Sequence, residues 1–296
     1  MNWITKNLKE WQFTLSIGSS SELFIKIVYL VLLWSTIKLL LIGNVVWGED
    51  YFILLSDPFS GPDRLAMLLN ITAVRIYYMY FVIPFLGLIL AGLLGFHNVF
   101  TRIVVWFLFV NLHFGNGAVS TGGHHLIQQL LFFHIFLFRV KSEEVSYLSS
   151  LGRFIHHLAY YSIWLQIAIL YLVSGIWKLK GDLWLDGSAM FLTLSFKEFG
   201  FPWIANTLKE NTIFLQMLTW MVLAYQVLFI SLVWIKPIRK WVLLFGAAFH
   251  ISIIFLIGIT DFGLFMIASY SIFINNHLAE KILRKIRLRR VLSLSA

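Results

Sequence analysis

The stretch Leu170-Tyr171-Leu172-Val173-Ser174-Gly175-Ile176-Trp177-Lys178-Leu179-Lys180-Gly181-Asp182-Leu183-Trp184-Leu185-Asp186-Gly187 decides how the rest of the chain is read. It begins as the end of an apolar segment long enough to cross a bilayer, then turns abruptly into lysines, aspartates, tryptophans and glycines. An ionisable group at a hydrocarbon boundary is a functional candidate, because hydrocarbon raises the cost of its charge and so moves its pKa. The edge therefore implies helices that cross a membrane, with chemistry concentrated where one of them leaves it.

Composition outside the stretch agrees. Of 296 residues, 59% are hydrophobic and 12% charged, and mean hydropathy is +0.83, too apolar for a globule whose whole surface is wetted. The absence of cysteine removes disulfides, thiolate metal sites and cysteine nucleophiles. The formal charge of +9 asks for an anionic partner, and its placement says which one. Lys281, Arg284, Lys285, Arg287, Arg289 and Arg290 follow directly on an apolar segment, which favours the anionic inner leaflet over nucleic acid. At the other end, residues 1–20 hold Trp3, Lys6, Lys9 and Trp11 without an apolar core or a cleavage site. They read as an interfacial amphipathic helix rather than a secretory signal.

Windows of about twenty apolar residues place spans near Leu23–Val46, Val74–Gly95, Val99–Gly117, His124–Phe138, Ile155–Trp177 and Ile213–Ile235. The run Trp241–Ile274 is too long for one crossing and divides at Gly258, Asp261 and Gly263. The expectation is an all-α, polytopic transmembrane helical bundle of about eight spans. It comprises the interfacial helix at 1–20, a membrane domain at 21–276 and a basic cytoplasmic tail at 277–296. With both termini inside, most Lys and Arg fall on inner segments, and Arg64, Lys178, Lys180, Lys197 and Lys209 are the outer exceptions, as the positive-inside rule requires. Trp47, Trp177, Trp184 and Trp203 form an outer aromatic belt, and Trp3, Trp11, Trp234 and Trp241 an inner one.

That topology sorts the histidines by depth. His156 and His157 start a span from inside and His124 and His125 start one from outside, about 30 Å apart, so the pairs cannot pool into a metal site and no metal is expected. Interfacial placement with one end in water accounts for His97, His156, His157 and His277. His134 and His250 lie nearer the middle of their spans and point into the bundle; a helix-to-helix hydrogen bond is the plain reading for each. Asn111 and His113 precede Phe114-Gly115-Asn116-Gly117, which reads either as broken helix lining a cavity or as a tight outer turn. Lys178 has two readings as well. It snorkels to the headgroups, or Ser174 and Gly175 thin the helix so that a neighbour packs close and keeps the amine among apolar groups. In the second case its pKa falls from the usual ~10.4 toward neutrality and it serves as a base.

The residues Tyr171 to Gly187 resemble the vitamin K-dependent gamma-carboxylase segment in which an alanine–glycine pair, a catalytic lysine, a tryptophan and a glycine follow in order. Phe249-His250 leading to Ile257-Gly258 is similar to that family's phenylalanine–histidine span, and Asn111 with His113 resembles its asparagine–histidine pair. The resemblance covers Leu23 to Asn275 and implies the membrane core called the HTTM domain, which also occurs in short bacterial proteins, hence a bacterial cytoplasmic membrane. It implies Lys178, His250 and His113 as catalytic, and Asn111, His134, His250 and Trp184 as cofactor-binding. The implied cofactor is a quinone, as a vitamin K-like hydroquinone, with O2 and CO2. Here one more residue separates Lys178 from Trp184, and Asn111 and His113 are not adjacent. The propeptide-binding domain that carboxylases add has no counterpart expected here. Two functions are therefore weighed: a membrane-embedded enzyme acting at the outer face, and a non-carboxylating maturation or export factor for a small secreted peptide or membrane partner. A transporter is disfavoured, because no inverted repeat is visible.

Overall fold

Uncharged runs of Leu, Ile, Val and Phe become helices here because a chain that leaves water must satisfy each backbone N–H and C=O within its own segment. The computed structural model describes residues 18–46, 77–113, 120–137, 147–195 and 202–294, and every regular element among them is helical. In chain order these are α1 (Gly18–Leu40), α2 (Gly43–Val46), α3 (Tyr78–Leu94), α4 (Val99–His113), α5 (Gly122–His134) and α6 (Tyr147–Lys178). There follow α7 (Asp182–Leu185), α8 (Ala189–Thr193), α9 (Pro202–Lys209), α10 (Thr212–Leu232), α11 (Lys236–Ser252) and a π-helical turn (Ile253–Ile257). Then come α12 (Thr260–Ser269), a 3₁₀ turn (Tyr270–Phe273) and α13 (Asn276–Leu294).

Among the described residues, four segments are long and apolar enough to cross a membrane: α1, the Leu151–Lys178 part of α6, α10, and Lys236–Ile257, which is α11 with its π turn. The shorter apolar helices α3, α4 and Thr260–Phe273, together with α5, stand at the other expected spans. The chain is an all-α membrane protein. The expected division of the long run falls at Gly258, which takes φ 81°, a left-handed conformation that ends the π turn and that glycine adopts without a Cβ clash. Asp261 and Gly263 lie beyond the break, in the opening of α12. Most of the interfacial helix expected at 1–20, the outer segment 48–73 and residues 114–117 after His113 lie outside the described residues.

Two compact units make up the chain: Met1–Gly117 with Leu130–Ile163 and Tyr270–Ala296, and Ala118–Gln129 with Trp164–Ser269. In the first, α1 packs on α3 and α13 packs on α1. The α1–α3 contact is close because Gly92 has no side chain; a Cβ there would lie 2.2 Å from the Tyr29 ring. α3 stops at Gly95 (φ 95°), where the N–H groups of Gly95 and Phe96 bind Gly92 O and Ala91 O, and Lys26 Nζ donates to Leu93 O at 2.6 Å. Phe24, Leu32, Phe85, Ile89, Phe109 and Leu112 fill its core.

In the second unit α10 is the central element, packing against α7, α8, α9 and α11. It opens at Asn211, whose side chain accepts from Phe214 N at 3.0 Å, a regular N-cap. Ile167, Tyr171, Leu215, Val222, Phe229 and Phe265 are buried there.

Candidate functional site

Tyr171, Ser174 and Lys178 are spaced i, i+3, i+7 along α6 and share one face of it. Gly175, beside that face, lets α10 come close: a Cβ would sit 2.8 Å from Val227 Cγ2 and 3.1 Å from Val227 N. The closeness brings the buried Gln226 to Ser174, whose hydroxyl donates to Gln226 Oε1 at 3.4 Å. The same hydroxyl accepts from Lys178 Nζ at 2.8 Å, so the lysine folds back along its own helix and is half-buried. The Trp184 ring lies over the ammonium, 5.0 Å from Nζ to its centroid. Lys180 is exposed and rests over the Trp177 ring, at 4.4 Å. Ser174, Trp177, Lys178, Asp182, Leu183 and Trp184, with Gly181, line an open cleft of about 840 Å³.

The segment beyond α6 forms one wall of this cleft because three residues on one face of α10 clamp it. Gln216 Nε2 donates to Asp186 O at 2.8 Å, Trp220 Nε1 donates to Leu185 O at 3.0 Å, and Thr219 Oγ1 accepts from Met190 N at 3.2 Å. Gly187 takes φ 85° at the turn, where a Cβ would come within 2.3 Å of Gln216 Cγ. Ser188, through its side chain and its backbone N–H, holds the exposed Asp186 carboxyl below the usual carboxylate range.

One turn deeper on α6, Tyr171 reaches α11. Its Oη lies 2.5 Å from His250 Nε2, and both residues are buried, His250 at 1% exposure. Phe262 of α12 stands edge-on to the imidazole at 5.5 Å. α12 comes near because residue 263 is glycine; a Cβ there would lie 2.8 Å from His250 O.

A second polar pair in this unit escaped the sequence reading. The N–H of Thr121 donates to His124 Nδ1 at 3.1 Å, so in the neutral ring the proton sits on Nε2, which faces Asp261 Oδ2 at 4.0 Å with both side chains buried. Gly123 permits the approach: a Cβ there would fall 2.9 Å from Phe262 Cα. The signal was in the sequence, a glycine pair before His124 and an acid between glycines at 258 and 263. As sequence, Asp261 marks only a break in an apolar run.

The remaining expected site residues belong to the first unit. His113 is fully buried, donates Nδ1–H to Phe109 O at 3.0 Å and stacks on the Phe109 ring at 4.3 Å. Asn111 Nδ2 donates to Phe107 O at 2.8 Å within its own helix. His134 uses both ring nitrogens: Nδ1–H donates to Leu131 O at 2.6 Å, and Nε2 accepts from Tyr29 Oη at 2.9 Å, the helix-to-helix bond that a buried imidazole requires. His156, expected with one end in water, is instead 5% exposed, with Nε2 3.1 Å from Ser21 Oγ. Burial against α1 replaces the water that an interfacial position provides.

Helices of bilayer length, one of which ends in a half-buried amine lining a cleft, define a helical membrane protein whose candidate site lies at the end of an apolar helix. No family model matches the chain. A stretch of 117 residues is 31% identical to the sporulation-delaying protein SdpB of Bacillus subtilis (strain 168), a match that covers 38% of this chain and 36% of that one. The chain thus matches little more than a third of that relative's length. No solved structure matches.

Proposed function

We propose that this chain is a membrane-embedded enzyme of the HTTM type, resembling vitamin K-dependent gamma-carboxylase in its membrane core, with Lys178 as the base at the outer face. The supporting observation is where Lys178 puts its amine. A lysine that only marks the end of a span lifts its ammonium to the headgroups; this one turns back onto Ser174, beneath Trp184, in the floor of the cleft.

The lining fits a reduced quinone, which is a flat apolar body with an acidic hydroxyl: Trp177, Leu183 and Trp184 offer faces for the rings, and the amine offers an acceptor for the proton. Such a cofactor, when bound, supplies the reducing equivalents for dioxygen, and carbon dioxide is the carboxyl source in the family resembled. In this reading Lys178 takes the hydroxyl proton, Ser174 and Gln226 hold the amine in place, Trp184 keeps water from it, and Tyr171 orients His250. These residues all belong to the second unit. The test is oxygen consumption by purified, reconstituted protein given a quinol. Lys178→Met abolishes it on this proposal, and unchanged turnover in that variant removes the enzyme reading.

The stretch similar to SdpB favours a second reading, a maturation or export factor for a small secreted peptide, without carboxylation. There, deletion of the gene abolishes the mature peptide in culture medium, measured by mass spectrometry, while the purified protein consumes no quinol. In both readings the chain crosses a bacterial cytoplasmic membrane several times, with both termini inside.

A further inference from the structure

The basic segment after the last apolar run is a helix fixed to the end of α1. Asn275 Oδ1 accepts from Leu278 N at 2.8 Å and caps α13, while Asn276 Oδ1 accepts from Ser19 N at 2.8 Å and Ser20 N at 3.2 Å and caps α1. Ser20 Oγ also donates to Ile274 O at 2.8 Å. Ala279 and Leu283 of α13 then bury against Leu23, with Ile27 and Ile282 packed beside them. α1 is long enough to cross the bilayer, so its first turn marks the hydrocarbon edge, and α13 starts there.

Six cations between residues 281 and 290 forbid α13 from entering the hydrocarbon, where each would cost roughly 2.5–3.5 kcal/mol. Contact with the first turns of α1 prevents it from leaving the edge. One face of the helix is thereby covered by protein, and a second apolar stripe is left uncovered: Leu278 is 46% and Ile286 49% exposed, one on each side of the half-buried Ile282. Lys281 and Lys285 are exposed beside that stripe. Arg284 is matched by Glu280 at 2.6 Å, and Arg287, Arg289 and Arg290 follow in the same helix. Exposed apolar residues flanked by lysines suit the headgroup region of an anionic leaflet and suit neither water nor hydrocarbon.

We infer that α13 is an interfacial helix that binds anionic phospholipid, with Leu278 and Ile286 at the acyl boundary and Lys281 and Lys285 on the phosphates. This inference is independent of the chemistry at Lys178. Because the chain has no cysteine, a single label is unambiguous. Full-length Leu278→Cys and Ile286→Cys variants, each carrying a polarity-insensitive fluorophore, are placed in nanodiscs of phosphatidylcholine with and without phosphatidylglycerol. With phosphatidylglycerol, doxyl-labelled lipid quenches both labels and iodide does not. High salt, or the added pair Lys281→Glu and Lys285→Glu, shifts quenching toward iodide, since each cation at the surface changes lipid attraction about fivefold. Equal iodide quenching in both compositions overturns the inference. So does protection of both labels from both quenchers, which means that protein covers the stripe.

Discussion

Lys178 Nζ donates to Ser174 Oγ at 2.8 Å, one turn back along α6, and Ser174 in turn donates to Gln226 on α10. The amine is thus held by a hydroxyl that is itself oriented from a second helix, and its position is set by helix packing rather than by solvent. A hydrogen bond to a charged group contributes about 1.5–3 kcal/mol. Ser174→Ala therefore lowers quinol-dependent oxygen uptake roughly ten- to hundredfold per folded protein, and Ser174→Thr recovers most of it. Uptake equal to the unmodified chain in Ser174→Ala shows that the amine needs no anchor.

The wall of the cleft depends on Gly187 in two separable ways. Its φ of 85° disfavours any side chain, and a Cβ there meets Gln216 Cγ at 2.3 Å. Gly187→Ala accordingly destabilises the protein by both effects. Adding Gln216→Ala removes the collision and also one clamp hydrogen bond, but leaves the backbone strain, about 1–2 kcal/mol for a left-handed alanine. Denaturation in detergent is expected to order the three variants with Gly187→Ala least stable and the double variant intermediate. A double variant as stable as Gln216→Ala alone places no strain at the turn.

Much of this arrangement was legible in the sequence, and what was not has physical reasons. Hydropathy over twenty residues is a local property, so the long helices and the break at Gly258 could be read directly. The reading of Ser174 and Gly175 as a thinned face also holds as geometry, since α10 does approach there. Partners on different helices were not legible. Nothing local to Tyr171 announces His250, 79 positions away, and nothing near Asn276 announces the start of α1. The clamp was missed because Gln216, Thr219 and Trp220 sit inside an apolar helix, where polar residues look incidental until their targets in the 185–190 segment are known. α5, at 13 residues, is shorter than a span needs, which windowed hydropathy does not resolve.

His124 and Asp261 offer a sharper test of the second unit's packing. Both are buried and face one another at 4.0 Å, with His124 fixed from its other nitrogen by Thr121. Groups that depend on each other give non-additive losses, so a double-mutant cycle over His124→Gln and Asp261→Asn is expected to show coupling of about 0.5–3 kcal/mol in unfolding. Additive losses would separate the two residues energetically and leave the close packing of Gly123 and His124 against Phe262 and Phe265 to hold α5 to α12.

Each unit contains a buried tyrosine–histidine hydrogen bond between helices, Tyr29 with His134 and Tyr171 with His250. Their local chemistry is alike, so Tyr29→Phe and Tyr171→Phe each leave a buried imidazole nitrogen without its tyrosine partner and cost about 1–3 kcal/mol of stability. Their relation to the cleft differs. Tyr171 shares the face of α6 that carries Ser174 and Lys178, whereas His134 is occupied at both nitrogens by Leu131 O and Tyr29. The proposal therefore separates the pairs by activity rather than by stability. Tyr171→Phe and His250→Leu lower oxygen uptake per folded protein by an order of magnitude or more, while Tyr29→Phe leaves it within about twofold. Unfolding measurements made alongside the turnover assay identify the folded fraction. Equal activity losses from the two tyrosine variants at equal stability would mean that His250 acts only as packing, and the base at Lys178 would then work without an imidazole behind it.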